Sequence, residues 1–112
     1  MFFFEVRNGS IESGLFLTTA NTCGQKPDFL MMFCEGFQNF VDAGFVDTFR
    51  IFTQGNGHYS WWSHFANSRA RNIGWRIDYL LVSAGLRGKV QSAAIHADVM
   101  GSDHCPVSIT LK

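Results

Sequence analysis

The sequence predicts an α+β domain that has one main helix and a mostly antiparallel sheet. Apolar residues recur at helical spacing through residues 29–43 and form one side of a helix. Strand-like segments follow at residues 75–82, 90–97 and 106–111, and only short connections separate them. Consecutive strands with short connections are usually neighbours in a sheet, so these three favour antiparallel pairing.

Residues 1–28 are the least periodic stretch and contain no motif with evident chemistry. We expect strands at residues 2–6 and 14–19, with Asn8-Gly9 as the turn between them. We interpret the whole stretch as a structural leader to the helix that follows.

The main helix has a start signal and a stop signal. Asp28 is assigned as its N-cap, and Gly44 stands where a left-handed residue ends a helix. Beyond it, residues 54–57 form a turn, and residues 58–63 form an aromatic strand. The polar and basic residues 67–74 are expected to form a loop or a single helical turn.

Residues 75–82 form the clearest strand, because their side chains alternate in character. One face carries Trp75, Ile77, Tyr79 and Leu81, and the opposite face carries Arg76 and Asp78. A short helical turn at 83–89 leads to the strand at 90–97. A loop at 98–102 then precedes the last strand.

Length and composition allow one domain with a substantial core. The chain has 112 residues, of which 46% are hydrophobic and 16% charged, and twelve are Phe. This apolar excess suggests a surface that faces another part of a larger protein. The net charge is zero, so the protein lacks the overall positive charge that would by itself indicate nucleic-acid binding. Arg69, Arg71 and Arg76 nevertheless cluster beside aromatic side chains.

The cysteines and the N-terminal segment predict a cellular location. Cys23, Cys34 and Cys105 are odd in number and lack zinc-ligand spacing, which favours free thiols in a reducing compartment. The segment from Met1 to Arg7 lacks the basic region and long apolar run of a signal peptide. We therefore expect a cytoplasmic protein without membrane contact.

Three residues are candidates for catalysis. Asp78 is an acid in an otherwise apolar strand, and Asp103-His104 lies in a loop where another strand begins. A carboxylate behind His104 would orient the imidazole, while Asp103 could hold a divalent cation. The competing interpretation is that Asp78 forms a structural salt bridge with Arg76 or Arg71.

The ordered motifs resemble the C-terminal part of one enzyme family. They comprise Tyr59-Ser60-Trp61-Trp62-Ser63, Asn67, Arg69, Arg71-Asn72, Gly74-Trp75-Arg76-Ile77-Asp78-Tyr79 and Gly101-Ser102-Asp103-His104-Cys105-Pro106. Residues 43–50 also match the family's helix and the segment after it. In all, the resemblance covers about residues 35–112. The family is that of the exodeoxyribonuclease III-type apurinic/apyrimidinic (AP) endonucleases, in the endonuclease/exonuclease/phosphatase superfamily.

The resemblance implies roles for the three candidates. Asp103 would bind the catalytic metal, with Mg²⁺ as the expected ion and Mn²⁺ as an alternative. His104 would contact the scissile phosphate and stabilise charge in the transition state, and Asp78 would orient His104. The substrate would be DNA, especially abasic duplex DNA.

The resemblance also implies a DNA-binding surface. Trp61, Trp75 and Ile77 would form the walls of a pocket for the flipped-out abasic sugar. Phe65 would enter the minor groove. The residues expected near the DNA backbone are Asn67, Arg69, Arg71 and Asn72.

The fold that the resemblance implies is the C-terminal half of a four-layer α/β sandwich, formed by residues 29–112 behind an unmatched leader, 1–28. Family members are more than twice as long, and their N-terminal half carries further metal ligands and an Asp-x-Asn motif that activates water. Those motifs are absent from this sequence. We expect a nuclease fragment that is inactive alone. The alternative is a non-catalytic DNA-binding or half-domain interaction module, which would bind its other half or associate with itself.

Overall fold

The computed structural model describes residues 3–7, 10–14 and 28–112, with side chains described from residue 35 onward. Two 3₁₀ turns, at Phe65–Asn67 and Ala84–Lys89, lie among the regular elements. Those elements are, in chain order, β1 (Phe3–Arg7), β2 (Ser10–Gly14), α1 (Asp28–Asp42), β3 (Phe45–Asp47), α2 (Thr48–Phe52), β4 (Trp61–Trp62), β5 (Gly74–Trp75), β6 (Leu80–Ser83), β7 (Val90–Ile95) and β8 (Val107–Leu111).

Strand pairing confirms the predicted α+β class with one main helix. Within the described residues, one sheet has the strand order β2-β1-β6-β3, and two-stranded sheets join β4 to β5 and β7 to β8. The pairing of β1 with β6 is parallel, and the other strand pairs are antiparallel. The sheets are open at their edges and do not close into a barrel.

The predicted helix is confirmed to within one residue at each end. Helix α1 runs from Asp28 to Asp42, and Gly44 follows with a φ of 93°. This left-handed conformation favours glycine and lets the Gly44 N–H bond the carbonyl of Val41 at 3.0 Å. No helix in the described ranges has the length and apolar character needed to span a lipid bilayer.

The N-terminal residues form a hairpin that is tighter than predicted. The first strand was expected at residues 2–6 and lies at Phe3–Arg7. The second lies at Ser10–Gly14 instead of 14–19, and Arg7 pairs directly with Ser10. Asn8-Gly9, which was expected as the turn, and residues 15–19 lie outside the described part of the chain.

Two strand predictions extend too far. The aromatic strand expected at 58–63 is reduced to the two residues of β4. The strand expected at 75–82 is interrupted, because β5 ends at Trp75 and β6 begins at Leu80. Alternation therefore fails between them, and Arg76 is buried together with Tyr79.

The prediction that three consecutive strands share one sheet is also wrong. Strands β7 and β8 pair with each other, whereas β6 lies between β1 and β3 in the larger sheet. The 3₁₀ turn after β6 separates it from β7, and its Leu86 side chain is buried. The 3₁₀ turn thus leads the chain to a second sheet, and β7 does not pair with β6.

The core lies on both faces of β6. Val82 packs with Leu86 and Val90 on one side, whereas Leu81 packs with Tyr79 on the other. Neighbouring residues of a strand point to opposite faces, which explains why Leu81 and Val82 join different clusters. Partly buried side chains complete the two clusters: Phe37, Phe40, Phe45, Val46, Ile51, Ile109 and Leu111.

A buried serine ties the interrupted strand to its neighbours. Ser60 is fully buried, and its Oγ accepts the N–H groups of Ile77 at 3.0 Å and Asp78 at 3.1 Å. Its own N–H donates to the Trp75 carbonyl, and its carbonyl accepts the N–H of Cys105. The Ser60 hydroxyl thus replaces the strand partner that residues 77 and 78 lack.

We expect Ser60→Ala to lower the free energy of unfolding by about 2–3 kcal/mol, because two buried N–H groups lose their acceptor. The matched control is Ser92→Ala in β7, where the side chain is exposed and the change should stay within about 0.5 kcal/mol. Urea denaturation of the three proteins measures both values. Equal stabilities for the two variants would contradict this role of Ser60.

Candidate active site

Three segments that are distant in sequence lie side by side at the site. The Trp62 N–H donates to the Asp103 carbonyl at 3.0 Å, and the Cys105 N–H donates to the Ser60 carbonyl at 2.8 Å. On the other side, Trp61 pairs with Trp75 in the β4–β5 ladder. Residues 60–62 therefore form the middle of a small three-segment surface.

His104 and Asp78 meet across this surface. Nδ1 of His104 lies 2.8 Å from Oδ2 of Asp78, and the exposed fractions of the two side chains are 36% and 13%. An ionised carboxylate only accepts hydrogen bonds, so Nδ1 is the donor and Nε2 is the atom that the ring can present to a ligand. The predicted pairing of these two residues is present.

The competing salt bridge is not formed. Arg76 instead donates from Nη2 to Oδ2 of Asp47 at 2.6 Å, and both side chains are at least nine-tenths buried. Arg71 is exposed, and its Nη1 lies 3.4 Å from the carbonyl of Ala66. The carboxylate of Asp78 therefore pairs with the imidazole of His104 and with neither of the two guanidinium groups.

Asp103 is a partly exposed carboxylate that is held in its ionised form. Nε1 of Trp61 donates to its Oδ2 at 2.9 Å, and Oγ of Ser102 donates to its Oδ1 at 3.2 Å. The indole hydrogen bond, with a smaller contribution from Ser102, lowers the pKa of Asp103, although desolvation acts in the opposite direction. Each oxygen accepts one bond here and keeps a lone pair for another partner.

The chemistry of Asp103 fits a ligand for a hard divalent cation. Mg²⁺ prefers oxygen ligands, and an ionised, partly exposed carboxylate supplies one. Within the described residues, no group of three or more His, Cys, Asp or Glu side chains converges on one point. Asp103 therefore offers one ligand to such a cation.

Two of the three predicted pocket walls contact each other. The rings of Trp61 and Trp75 lie edge to face, with their centroids 6.1 Å apart. Ile77 is half-buried, and its backbone N–H is fixed by Ser60. The Trp61 indole also donates to Asp103, so this pair of rings lies next to the candidate metal ligand.

The loop between β4 and β5 presents several of the predicted DNA-binding residues to solvent. Phe65 is 82% exposed, and the N–H of this residue is bonded to Oγ of Ser63. Asn67 is exposed and has a φ of 55°. Asn72 is also exposed, yet it accepts the Nε1–H of Trp62 at 3.2 Å, so it also fixes the base of the loop.

The guanidinium of Arg69 is bonded to backbone carbonyls of the loop before Asp103. Its Nη1 donates to the carbonyl of Ser102 at 2.9 Å, and its Nη2 donates to those of Ala97 at 2.9 Å and Val99 at 2.7 Å. The guanidinium carbon also lies 4.5 Å from the ring centroid of Trp62. These contacts join the β4–β5 loop to the loop before Asp103, and they occupy donors that a DNA phosphate would need.

A cavity of about 320 Å³ separates the same two loops. Its lining includes Ser63, Asn67 and Arg69 from one loop and Met100 and Asp103 from the other. Polar groups and a carboxylate therefore face an open volume next to the candidate metal ligand.

Three residues of the site were not foreseen as such. Ser60 and Trp62 stand inside an aromatic run, where the sequence indicates only a strand. Asp47 lies between the apolar residues Val46 and Phe49, separated from the latter by Thr48. An acid in an apolar segment is a signal that could have identified Asp47, as it identified Asp78.

Comparison with known proteins identifies relatives. A sequence model of the Endonuclease/Exonuclease/phosphatase family matches residues 11–104. Exodeoxyribonuclease of Bacillus subtilis is 55% identical over 79 residues, which is 70% of this chain and 31% of that protein. DNA-(apurinic or apyrimidinic site) endonuclease of Dictyostelium discoideum is 42% identical over 77 residues, which is 67% of this chain and 21% of that protein.

A solved structure shares the fold. The catalytic domain of Xenopus laevis APE2 aligns with a TM-score of 0.71 and 28% identity, over 85% of this chain and 33% of that one. The chain thus spans about a third or less of the length of these relatives. The similarity agrees with the predicted α+β architecture of one helix and mostly antiparallel strands.

We expect Arg69→Lys to speed amide hydrogen exchange in residues 97–104 and to lower stability by about 1–2 kcal/mol, because an ammonium group cannot reach three carbonyls in the plane of a guanidinium. Arg71→Lys is the matched control, since Arg71 is exposed and makes one long bond. Hydrogen-exchange mass spectrometry measures the difference. Equal protection of residues 97–104 in both variants would show that Arg69 does not hold this loop.

We expect Trp61→Phe to raise the pKa of Asp103 towards its ordinary value. Because the folded-state pKa is the lower one, the hydrogen bond adds stability above about pH 3.9 and loses that effect as the pH falls through the folded-state pKa. The stability difference between wild type and variant should therefore shrink between pH 5 and about pH 2, leaving the constant loss of packing. Urea denaturation across this range tests it, and a difference independent of pH would refute it.

Proposed function

The chain belongs to the Endonuclease/Exonuclease/phosphatase family, and we propose that it is the C-terminal part of a metal-dependent DNA-repair phosphodiesterase. The activity would be that of an AP endonuclease or a 3′–5′ exodeoxyribonuclease. Relatives named exodeoxyribonuclease and AP endonuclease support this assignment. The observation that carries it is the 2.8 Å contact between His104 and Asp78, next to the ionised carboxylate of Asp103.

His104 would act on the phosphate that is cleaved. In hydrolysis, the oxygen of a water bonds to phosphorus and the water gives up a proton, while the bond from phosphorus to the 3′ oxygen breaks and that oxygen leaves as a hydroxyl after taking up a proton. Negative charge grows on the phosphoryl oxygens in the transition state. A donor aimed at that charge lowers the barrier. Asp78 accepts the hydrogen bond from Nδ1 and so directs Nε2 outward, and a ring that carries a proton on both nitrogens would donate from Nε2 to that charge.

Asp103 would hold a divalent cation, with Mg²⁺ as the first candidate and Mn²⁺ as the alternative. A bound cation of this kind neutralises charge on the phosphate. The hydrogen bond from Trp61 keeps Asp103 ionised and fixes its carboxylate. Because the described residues form no group of three or more His, Cys, Asp or Glu side chains that could hold a metal ion, we propose that the chain alone is inactive and requires further ligands.

The DNA would lie along the loop between β4 and β5. Phe65 is 82% exposed, so its ring is available to enter a groove. Asn67 and Arg71 are exposed beside it and can donate to phosphate oxygens. The adjoining rings of Trp61 and Trp75 offer an apolar wall for an extrahelical sugar.

A second candidate function is binding without catalysis, either of DNA or of the other half of such an enzyme. The exposed apolar side chains Phe52, Ile73 and Met100 favour it. Dimerisation that depends on concentration, or activity restored by a separate N-terminal half, would support this function. A monomer at every concentration that neither binds abasic DNA nor responds to that half would exclude it.

We expect the purified chain to show no EDTA-sensitive cleavage of abasic duplex DNA in Mg²⁺. Residues 35–112, grafted in place of the matching segment of the Bacillus subtilis relative, should give cleavage. In the graft, Asp103→Asn or His104→Ala should reduce the rate by about 100-fold or more, because each removes charge stabilisation at the phosphate. A fluorescent 3′-end-labelled duplex with one abasic analogue measures all four proteins.

The grafted protein with Asp42→Asn is the control, because Asp42 is exposed at the end of helix α1, outside the candidate site. It should cleave at the unmodified rate. Strong EDTA-sensitive cleavage by the chain alone would overturn the proposed inactivity. Full activity of the graft with Asp103→Asn and with His104→Ala would overturn the assigned roles.

A further inference from the structure

Arg76 is a buried cation next to the catalytic candidates. Its side chain is 6% exposed, and its guanidinium carbon lies 4.3 Å from the ring centroid of Tyr79 and 5.6 Å from that of Phe49. The Tyr79 hydroxyl also donates to the Arg76 carbonyl at 2.9 Å. Two aromatic rings therefore pack against the guanidinium, and the Tyr79 hydroxyl fixes the backbone of Arg76, two residues before Asp78.

Two carboxylates lie within the surroundings of this cation. Asp47 takes the ion pair at 2.6 Å, with its side chain 10% exposed, and Asp78 lines the same small internal cavity as Asp47 and Arg76. The buried cation of Arg76 thus has two carboxylates near it, and one of them, Asp78, is bonded to the imidazole of His104.

Which carboxylate pairs with Arg76 decides whether Asp78 is available to His104. A buried guanidinium without a carboxylate is strongly disfavoured, so it recruits the nearest one that can reach it. Asp47 fills that need from β3, although its Oδ1 is buried without a hydrogen-bond partner in the structure. That arrangement leaves the Asp78 carboxylate to His104.

We propose that Asp47 is a positioning residue for catalysis: it holds Arg76 and so prevents Arg76 from taking Asp78 away from His104. Without Asp47, the guanidinium turns to Asp78, and the imidazole loses the acceptor that fixes its tautomer. The catalytic consequence rests on the proposed function, whereas the charge partition stands on the contacts alone.

The test uses Asp47→Ala and the double variant Asp47→Ala/Arg76→Met in the full chain labelled with ¹⁵N-histidine. The Nδ1–H signal of His104, bonded to Asp78, is followed by ¹H–¹⁵N NMR. We expect it in the wild type, its loss in Asp47→Ala, and its return in the double variant, because Met has no charge to compete for Asp78. Asp42→Asn, an exposed neutralisation, is the control and should leave the signal unchanged.

The two ways of failing are distinct. A signal that persists in folded Asp47→Ala overturns the proposal, and so does a signal lost equally from the single and double variants, which is the pattern of a merely structural residue. If Asp47→Ala does not fold, Asp47→Asn replaces it in both proteins, because the amide keeps one acceptor for Arg76 but removes the charge. The same loss and return are then required.

The NMR experiment needs no DNA, so its outcome is independent of the proposed nuclease activity. In the grafted enzyme, Asp47→Ala should reduce kcat by about 100-fold with little change in KM, and the added Arg76→Met should restore most of it. An inactive graft with the NMR pattern intact would contradict the nuclease proposal only. An active graft in which the double variant is no better than the single one would contradict the role of Asp47.

Discussion

The hydroxyl of Ser60 accepts backbone N–H groups from Ile77 and Asp78, while the backbone of the same residue bonds Trp75 and Cys105. This buried group therefore fixes, on two sides, the segments that carry the candidate catalytic residues. Buried N–H groups require acceptors, and the interrupted strand has no neighbour to supply them. The arrangement of the site therefore depends on the Ser60 hydroxyl as the acceptor for these two N–H groups.

Charged and titratable side chains of the site form a buried pair and a partly buried pair. Asp47 and Arg76 neutralise each other among aromatic rings, where a lone charge would be costly. Asp78 and His104 meet nearer the surface, where the imidazole remains accessible. In the proposed arrangement, the first pair keeps Arg76 from competing with His104 for the carboxylate of Asp78. Structural and functional charges are thus coupled in this protein.

Sequence patterns located the helix and most of the strands, because apolar periodicity is a local property. They failed between Trp75 and Leu80, where alternation predicts an unbroken strand but the Ser60 hydroxyl takes the place of the ladder. The family resemblance placed Arg69 near the DNA backbone, and in the structure its guanidinium joins two loops through three carbonyls.

The sequence by itself determined the α+β class, the family resemblance and the identity of Asp78, Asp103 and His104 as chemically capable residues. These follow from residue type and order along the chain. Only the tertiary structure decided which acid pairs with which base, because spacing allowed Asp78 to pair with Arg76 as readily as with His104. The choice depends on Asp47, which approaches from β3, 29 residues before Arg76. Contacts of that range are set by packing, and no local pattern encodes them.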